Sequence, residues 1–188
     1  MILDLLKQSR SYRRFDQSVT LSEEGLKALV GVATLCPSPK NRQPLRFKLV
    51  SEEGEKEKLF PLLKWAGYLK DWPGPEKGER PGGYLIFLGD RRLSRSFHFD
   101  VGIVAQSMLL KATEEGYGGC VIHALNRRKL RQEFGIGPEY NILIVLALGK
   151  PVEEVQLEEL KPGSSPAYWR DEDGVHHVPK LGVGDLLV

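Results

Sequence analysis

Apolar residues recur every three or four positions in five segments of the chain, a spacing that places them on one face of an α-helix. The strongest of these patterns spans residues 99–115 and is followed by Gly116, a residue that often ends helices. Ser22 is a good N-cap for another helix, which must end before Pro37 because proline lacks an amide donor. The spacing also predicts helices over residues 2–9, 52–70 and 127–134, the second of them interrupted near Pro61.

Four other segments have the pattern of β-strands. Residues 45–50 alternate apolar and polar side chains, as a half-buried strand does. Residues 84–88 and 142–148 are continuous apolar runs that predict buried strands, and residues 120–122 predict a short strand. Helices and strands follow one another without regular strand–helix–strand alternation, so we expect an α+β fold in which long helices pack on a sheet.

Glycine and proline mark the segments that lack such a pattern. Residues 71–83 contain three prolines and four glycines, which predicts a long, flexible, lid-like loop. From residue 151 the chain is polar, yet it ends in Leu186, Leu187 and Val188. We therefore expect residues 151–188 to form an extended C-terminal arm that lies on another surface, within a single domain of residues 1–188.

Composition narrows the class of protein. The net charge of +2 argues against a nucleic-acid partner, which usually requires a strongly basic face. The longest apolar run has seven residues, too few to cross a membrane, and the first residues lack the pattern of a signal peptide. Cys36 and Cys120 cannot form a disulfide framework, so we expect two buried free thiols and a cytoplasmic protein.

Positive charge is concentrated near the start of the chain. The first 48 residues contain nine Lys or Arg and four acidic residues, and most of the basic ones lie in residues 10–15 and 37–47. If these two segments meet in space, arginine forks and the Ser11 hydroxyl would form a phosphate site. Otherwise the two segments are a solvated basic surface.

Polar side chains accompany the second basic segment. Ser38, Asn41 and Gln43 lie in a loop that three prolines stiffen. An amide presents a donor and an acceptor together, which matches the edge of a heterocycle such as a pyrimidine or a flavin. The alternative is that these side chains satisfy backbone groups of their own loop.

The two basic segments resemble known sequence signatures. Residues 10–15 (RSYRRF) and 37–47 (PSPKNRQPLRF) are similar to the two N-terminal signatures of the FMN-dependent nitroreductase family. Further motifs follow in the order that this family has. They are residues 100–102 (DVG), 115–119 (EGYGG) and 149–151 (GKP). The resemblance covers residues 2–152, whereas the C-terminal tail differs from that of the better-known members.

The resemblance implies a nitroreductase-like α+β fold with a central, mainly antiparallel sheet flanked by long helices. It also implies a homodimer with exchanged C-terminal arms and one FMN at each subunit interface. Lys180 would complete the phosphate site by its order in the chain, with Arg170 as the rival. The resemblance further implies that the phosphate is held by Arg10, Ser11 and Arg13, and that the flavin and ribityl chain contact Ser38, Asn41 and Gln43 of either subunit. The backbone of residues 121–124, including His123 and Ala124, would lie near flavin N5.

The same resemblance implies a ping-pong oxidoreductase. NAD(P)H would deliver hydride to FMN N5, and a small planar, electron-poor acceptor such as a nitroaromatic or a quinone would then take the electrons. The cofactor carries the chemistry, so no side chain need act as a nucleophile or a base. Two alternatives are a flavin-storage module without turnover and a phosphate-dependent interaction domain without flavin.

Other candidate sites have less support. Residues 116–119 are rich in glycine but precede a strand, the opposite of the order in a dinucleotide-binding fingerprint. The adjacent His176 and His177 would point in opposite directions on an extended chain, so we expect no metal site. An aromatic cluster fits either core packing or a lid over the flavin. It consists of Trp65, Tyr68 and Trp72.

Overall fold

Helices and strands alternate irregularly along residues 1–188, all of which the computed structural model describes. The first ten elements are α1 (Ile2–Gln8), β1 (Phe15–Asp16), α2 (Glu23–Ala33), β2 (Leu45–Val50), α3 (Glu53–Leu59), β3 (Gly83–Asp90), α4 (His98–Glu114), β4 (Gly118–Ile122), α5 (Arg127–Glu133) and β5 (Tyr140–Pro151). The last three are β6 (Val155–Glu159), β7 (Trp169–Arg170) and β8 (His176–Lys180).

A five-stranded antiparallel sheet forms the centre of the fold. β5 pairs along one edge with β3, which in turn pairs with β2. Along its other edge β5 pairs first with β4 and then with the short β1. The predicted α+β class, with an antiparallel sheet and helices packed against it, is confirmed.

Both faces of this sheet are covered, which explains why its central strands are apolar throughout. Successive side chains of a strand point to opposite faces. Leu85 and Phe87 of β3 accordingly pack with α2 and α4, whereas Ile86 and Leu88 pack on the other face with Leu59 and its neighbours. The core therefore has two halves, one on each side of the sheet.

The helix ends show how local sequence sets the elements. The Ser22 hydroxyl accepts the Gly25 amide at 3.1 Å, as an N-cap does, and Gly116 follows α4 with a φ of 76°. The predicted helix over residues 52–70 is wrong beyond Leu59. A single 3₁₀ turn at Phe60–Leu62 follows α3, because Pro61 has no amide to continue the helical hydrogen bonds.

The loop over residues 71–83 is anchored to the segment that contains β1. The Phe15 amide donates to the Glu79 carbonyl at 2.9 Å, and the Gln17 amide donates to the Gly78 carbonyl at 3.0 Å. The Arg14 guanidinium also donates to the Glu79 carboxylate, with Nε 2.8 Å from Oε2. The loop has no regular structure before β3 begins at Gly83, and its role as a lid stays a prediction.

Residues 151–188, expected to form an extended arm, contain three short strands in this structure. β8 pairs in parallel with β6 and antiparallel with β7. The strands lie against their own chain because the Val152 amide donates to the Arg14 carbonyl and the buried Glu153 carboxylate accepts the Arg13 and Arg14 amides. An exchange of this segment between subunits stays a prediction.

His177 connects the elements of this C-terminal sheet. Its Nδ1 lies 2.7 Å from Glu158 Oε1 in β6, and its Nε2 lies 2.9 Å from Asp171 Oδ2 just after β7. The hydrogen bonds to Asp171 and Glu158 raise the pKa of His177 above its ordinary value. A protonated imidazole can donate to both carboxylates, which a neutral ring with one N–H cannot do.

Replacing His177 by glutamine should therefore destabilise the protein near pH 6 and have a smaller effect at alkaline pH. A group with a raised folded pKa stabilises fully below its unfolded pKa of about 6.5, and this stabilisation is lost as pH rises through the raised value. Urea unfolding at about pH 6 and about pH 9 measures the difference. The control is His98→Gln, at an exposed position without ion pairs, which should change the free energy of unfolding at neither pH. Equal losses of stability in His177→Gln at both pH values would contradict the prediction.

The two cysteines are free, as expected, but their burial differs. Cys120 lies buried in β4, and this burial raises the pKa of its thiol. The prediction that Cys36 is buried is wrong. Its thiol lies half-exposed after the end of α2 and contacts the Val32 carbonyl at 3.4 Å. None of the helices combines the length and apolar character needed to cross a membrane.

Candidate functional site

The segment that contains Arg10 and Arg13 runs beside the free edge of β4. The Tyr12 amide donates to the Gly119 carbonyl at 3.1 Å, and Ser11 forms a parallel bridge with Gly119. The approach requires glycine, since a Cβ on Gly118 would lie 2.5 Å from Tyr12 Cδ2. The sequence around residues 118–119 thus brings the Ser11 and Arg13 side chains to the edge of the main sheet.

A cavity of about 380 Å³ lies at this edge, between the segment, α4, β4 and the C-terminal sheet. Three cationic side chains line it, those of Arg10, Arg13 and Lys180, and no carboxylate does. Ser11 adds a hydroxyl, His176 comes from β8, and Tyr168 lies just before β7. The structure therefore brings together the four residues predicted to hold a phosphate.

Several hydrogen-bond donors in this cavity have no partner in the protein. Arg10 Nη2 donates to the Leu6 carbonyl at 2.6 Å, but its Nε is buried and unpaired. Arg13 donates through Nη1, and the fork formed by its Nε and Nη2 makes no hydrogen bond to a nitrogen or oxygen of the protein, although the guanidinium also lies near the buried Cys120 thiol. The Lys180 ammonium and the Ser11 hydroxyl also make no hydrogen bond within the protein. The site is thus a cluster of positively charged donors whose hydrogen bonds are only partly used within the protein.

The nearest buried carboxylate, Glu153, is turned away from the cavity and fully paired. One of its oxygens accepts the Arg13 and Arg14 amides, and the other accepts Arg170 Nη2 at 3.0 Å. The Arg170 guanidinium also lies 4.6 Å from the centre of the Trp72 ring. Of the two rivals from the tail, the structure places Lys180 at the cavity and Arg170 outside it.

A second cavity of about 500 Å³ contains His123. The Arg127 guanidinium also lines it, but it is held by backbone carbonyls, including that of Ile142 at 3.0 Å. His123, Asn141 and apolar side chains of α4 and β5 thus form the accessible part. Ala124 is exposed and does not line this cavity; its carbonyl accepts the Lys64 amide at 2.9 Å.

The two cavities follow one another along α4 and β4. On the helix, Val101 lines the second cavity and Gln106 lines the first, a spacing of about 7.5 Å at 1.5 Å per residue. On the strand side, His123 and Val121 lie in the same order. Both cavities therefore lie beside α4 and the end of β4, the cationic donors in one and His123 in the other.

The loop with Ser38, Asn41 and Gln43 lies on a different face of α4. The Ser38 hydroxyl donates to Asp100 Oδ1 at 2.6 Å and accepts the Gln43 amide at 2.9 Å, while Gln43 Nε2 donates to Asn41 Oδ1 at 2.9 Å. Ser38 and Gln43 line a third cavity of about 330 Å³ against α2, and Asn41 is exposed. Within one subunit these side chains do not reach Arg10 and Arg13.

The loop also has an unusual backbone. Lys40, Asn41 and Gln43 have φ values of 55°, 51° and 47°, in the left-handed region that side chains other than glycine rarely adopt. Their strain is offset by the hydrogen bonds of Ser38 and Gln43 just described. The amides therefore partly satisfy their own loop, as one of the two sequence interpretations holds.

Comparison with known proteins gives one family. The model of the nitroreductase family matches residues 6–150. The "Putative NAD(P)H nitroreductase YdgI" of Bacillus subtilis is 25% identical over 202 aligned residues, which cover 89% of this chain and 97% of that protein. The "Putative NAD(P)H nitroreductase YodC" of the same organism is 22% identical over 197 aligned residues, covering 89% and 98%.

Solved structures have the same fold. A nitroreductase family protein of Clostridium difficile 630 superposes with a TM-score of 0.68 at 22% identity, over 99% of this chain and 96% of the other. A nitroreductase of Exiguobacterium sibiricum 255-15, described as "putative" and solved in complex with FMN, superposes with a TM-score of 0.70 at 20% identity. That match covers 100% of this chain and 96% of the other.

Proposed function

Because this chain belongs to the nitroreductase family, we propose that it is an FMN-dependent oxidoreductase that passes electrons from NAD(P)H to a nitroaromatic or a quinone. The observation that carries the proposal is the cavity in which three cations and no acid converge. FMN is proposed as the cofactor because the Exiguobacterium structure is described as a complex with FMN. NAD(P)H is proposed as the electron donor because the names of the two Bacillus relatives include it.

The unpaired donors of the cavity fit a phosphate monoester. The Nε and Nη2 of Arg13 form a fork that can donate hydrogen bonds to two phosphate oxygens, and Arg10 Nε is a buried donor without an acceptor. The Ser11 hydroxyl beside Arg13 and the Lys180 ammonium of β8 would supply the remaining contacts. A phosphate dianion would neutralise this excess of positive charge, so these four residues would hold the phosphate of FMN.

The surface of α4 and β4 beside this cavity would then take the remainder of the cofactor. The ribityl chain would follow the space between α4 and β4, and the ring would lie toward His123 and Ala124, near the second cavity. The chemistry that FMN supplies there is hydride acceptance from NAD(P)H and electron transfer to the acceptor. The protein would bind and orient the reactants, and the backbone of residues 121–124 would contact the ring edge.

A second copy of the chain would complete the site. Ser38, Asn41 and Gln43 lie away from the cationic cavity in their own chain, so they would contact the flavin only from a partner. Apolar side chains elsewhere on the surface also lack a covering surface, among them Phe99 of α4, which is 70% exposed and lies beside the residue 39–44 loop. Similar exposure is found for Ile2 and Leu3 of α1 and for Leu186, Leu187 and Val188. We therefore propose a homodimer with FMN at its interface.

The test is to reconstitute the full-length protein with FMN, record its absorption spectrum and mass by light scattering, and add NADH or NADPH without oxygen. We expect a dimer with a bound flavin. NADH or NADPH should reduce this flavin and bleach its absorption, and a nitroaromatic or a quinone should reoxidise it. A colourless protein that takes up no FMN would contradict the proposal. Bound flavin that NAD(P)H never reduces would favour a storage module, and a flavin-loaded monomer would contradict the interface site.

A further inference from the structure

Arg13 is held from three sides by its own chain. Its Nη1 donates to the Ser11 carbonyl at 3.1 Å and to His176 Nε2 at 3.1 Å. The Tyr168 ring faces the guanidinium, with Arg13 Cζ 4.8 Å from the ring centre, and also packs against His176 at 5.0 Å between centres. Both aromatic residues come from the C-terminal segment, the part of the chain that no sequence signature covers.

His176 can act only as an acceptor toward Arg13. An arginine guanidinium stays protonated and has no acceptor, so His176 Nε2 must carry the lone pair and Nδ1 must carry the proton. The ring is 1% exposed, and burial together with Arg13 and Arg170 lowers the pKa of His176 to about 4. The neutral form that can accept from Arg13 is therefore the form present at neutral pH.

This arrangement is costly, which indicates a role beyond packing. His176 Nδ1 is buried and has no hydrogen-bond partner, and a buried unpaired N–H is uncommon in native proteins. An apolar ring of similar size would fill the same space without that cost. What histidine adds at this position is the acceptor at Nε2.

The contacts decide which edge of Arg13 faces the cavity. Nη1 is used twice, by Ser11 and His176, and the aromatic ring covers one face of the guanidinium plane. The remaining edge, Nε and Nη2, is the one whose two parallel N–H groups match a phosphate. A side chain with this many rotatable bonds loses entropy when it is ordered, and here the ordering precedes binding.

We infer that His176 and Tyr168 are positioning residues that hold the Arg13 fork toward the cavity and thereby make the site prefer FMN over riboflavin, an inference that rests on the proposed function. Riboflavin has the same ring and ribityl chain but no phosphate, so it gains nothing from an oriented fork. The affinity ratio of the two flavins therefore isolates the orientation of Arg13 from general effects on flavin binding.

The experiment compares FMN and riboflavin binding to full-length protein by quenching of flavin fluorescence. His176→Phe keeps a ring beside Tyr168 but removes the acceptor, and we expect it to weaken FMN binding about 10-fold while riboflavin binding changes less than about 2-fold. His176→Gln restores an acceptor near the position of Nε2 and should recover most of the loss. Tyr168→Leu removes the ring over the guanidinium and should likewise weaken FMN binding more than riboflavin binding.

The matched control is His177→Gln, on the same strand but outside the cavity. It loosens the C-terminal sheet without contacting Arg13 and should leave the affinity ratio unchanged. The inference is overturned if the ratio of FMN affinity to riboflavin affinity is unchanged in His176→Phe, or if it falls equally in His177→Gln. Either result leaves FMN binding by the native protein as it is. A native protein that binds no FMN overturns the proposed function and this inference with it.

Discussion

Replacing Arg13 by alanine should weaken FMN binding by about 10- to 150-fold, the equivalent of about 1.5–3 kcal/mol for a hydrogen-bonded contact to a charged group. The reason is that Arg13 presents two unpaired N–H donors to the cavity and is already held by Ser11 and His176. The change removes the fork and the charge together. Equilibrium titration of the full-length protein with FMN, followed by flavin fluorescence, measures the dissociation constant.

The neighbouring arginine provides the control. Arg14 has the same charge, but its Nε donates to Glu79 at 2.8 Å, and it does not line the cavity. Arg14→Ala should change the FMN dissociation constant by less than about 2-fold, since only a partly exposed ion pair is lost. Equal losses in the two variants would show that total charge matters rather than the fork, and an unchanged affinity in Arg13→Ala would contradict the phosphate role.

The parts of the fold that depend on local pattern could be predicted from the sequence. β2 covers the predicted residues 45–50, and α4 covers His98–Glu114 against a prediction of 99–115. Both signals are strong because alternation and helical spacing are read along one segment. The short β1 and the C-terminal sheet were missed, because a two-residue strand and polar strands are defined by their pairing partners and leave no periodic signal.

The residues of the candidate site also differ in whether the sequence alone predicts them. Arg10, Ser11 and Arg13 lie in one short motif, and the structure brings them to one cavity with Lys180. Nothing in the sequence connects His176 and Tyr168 with Arg13, because their contacts depend on the return of the tail to Arg13. In the proposed homodimer, the position of Asn41 relative to the arginines would depend on the second subunit, and no pattern within one chain specifies how two surfaces meet.

Arg170→Ala should destabilise the folded protein by about 3 kcal/mol, because it leaves the buried Glu153 carboxylate without its cation. The Glu153 side chain is fully buried, Arg170 is 16% exposed, and the two lie 3.0 Å apart. The Arg13 and Arg14 amides still donate to Glu153, so the cost should lie at the lower end for a broken buried pair. Urea unfolding at one protein concentration and matched flavin occupancy measures the free energy.

A second substitution separates the stranded charge from simple loss of packing. In the double variant Glu153→Gln/Arg170→Ala, the amide oxygen can still accept the Arg13 and Arg14 amides but carries no charge, so about half or more of the lost stability should return. Lys27→Ala, which breaks the exposed pair with Glu23, should have little effect. If the double variant is as unstable as Arg170→Ala, the cost arises from the lost contact with Trp72 and the emptied space, and the Glu153 charge is not what Arg170 stabilises.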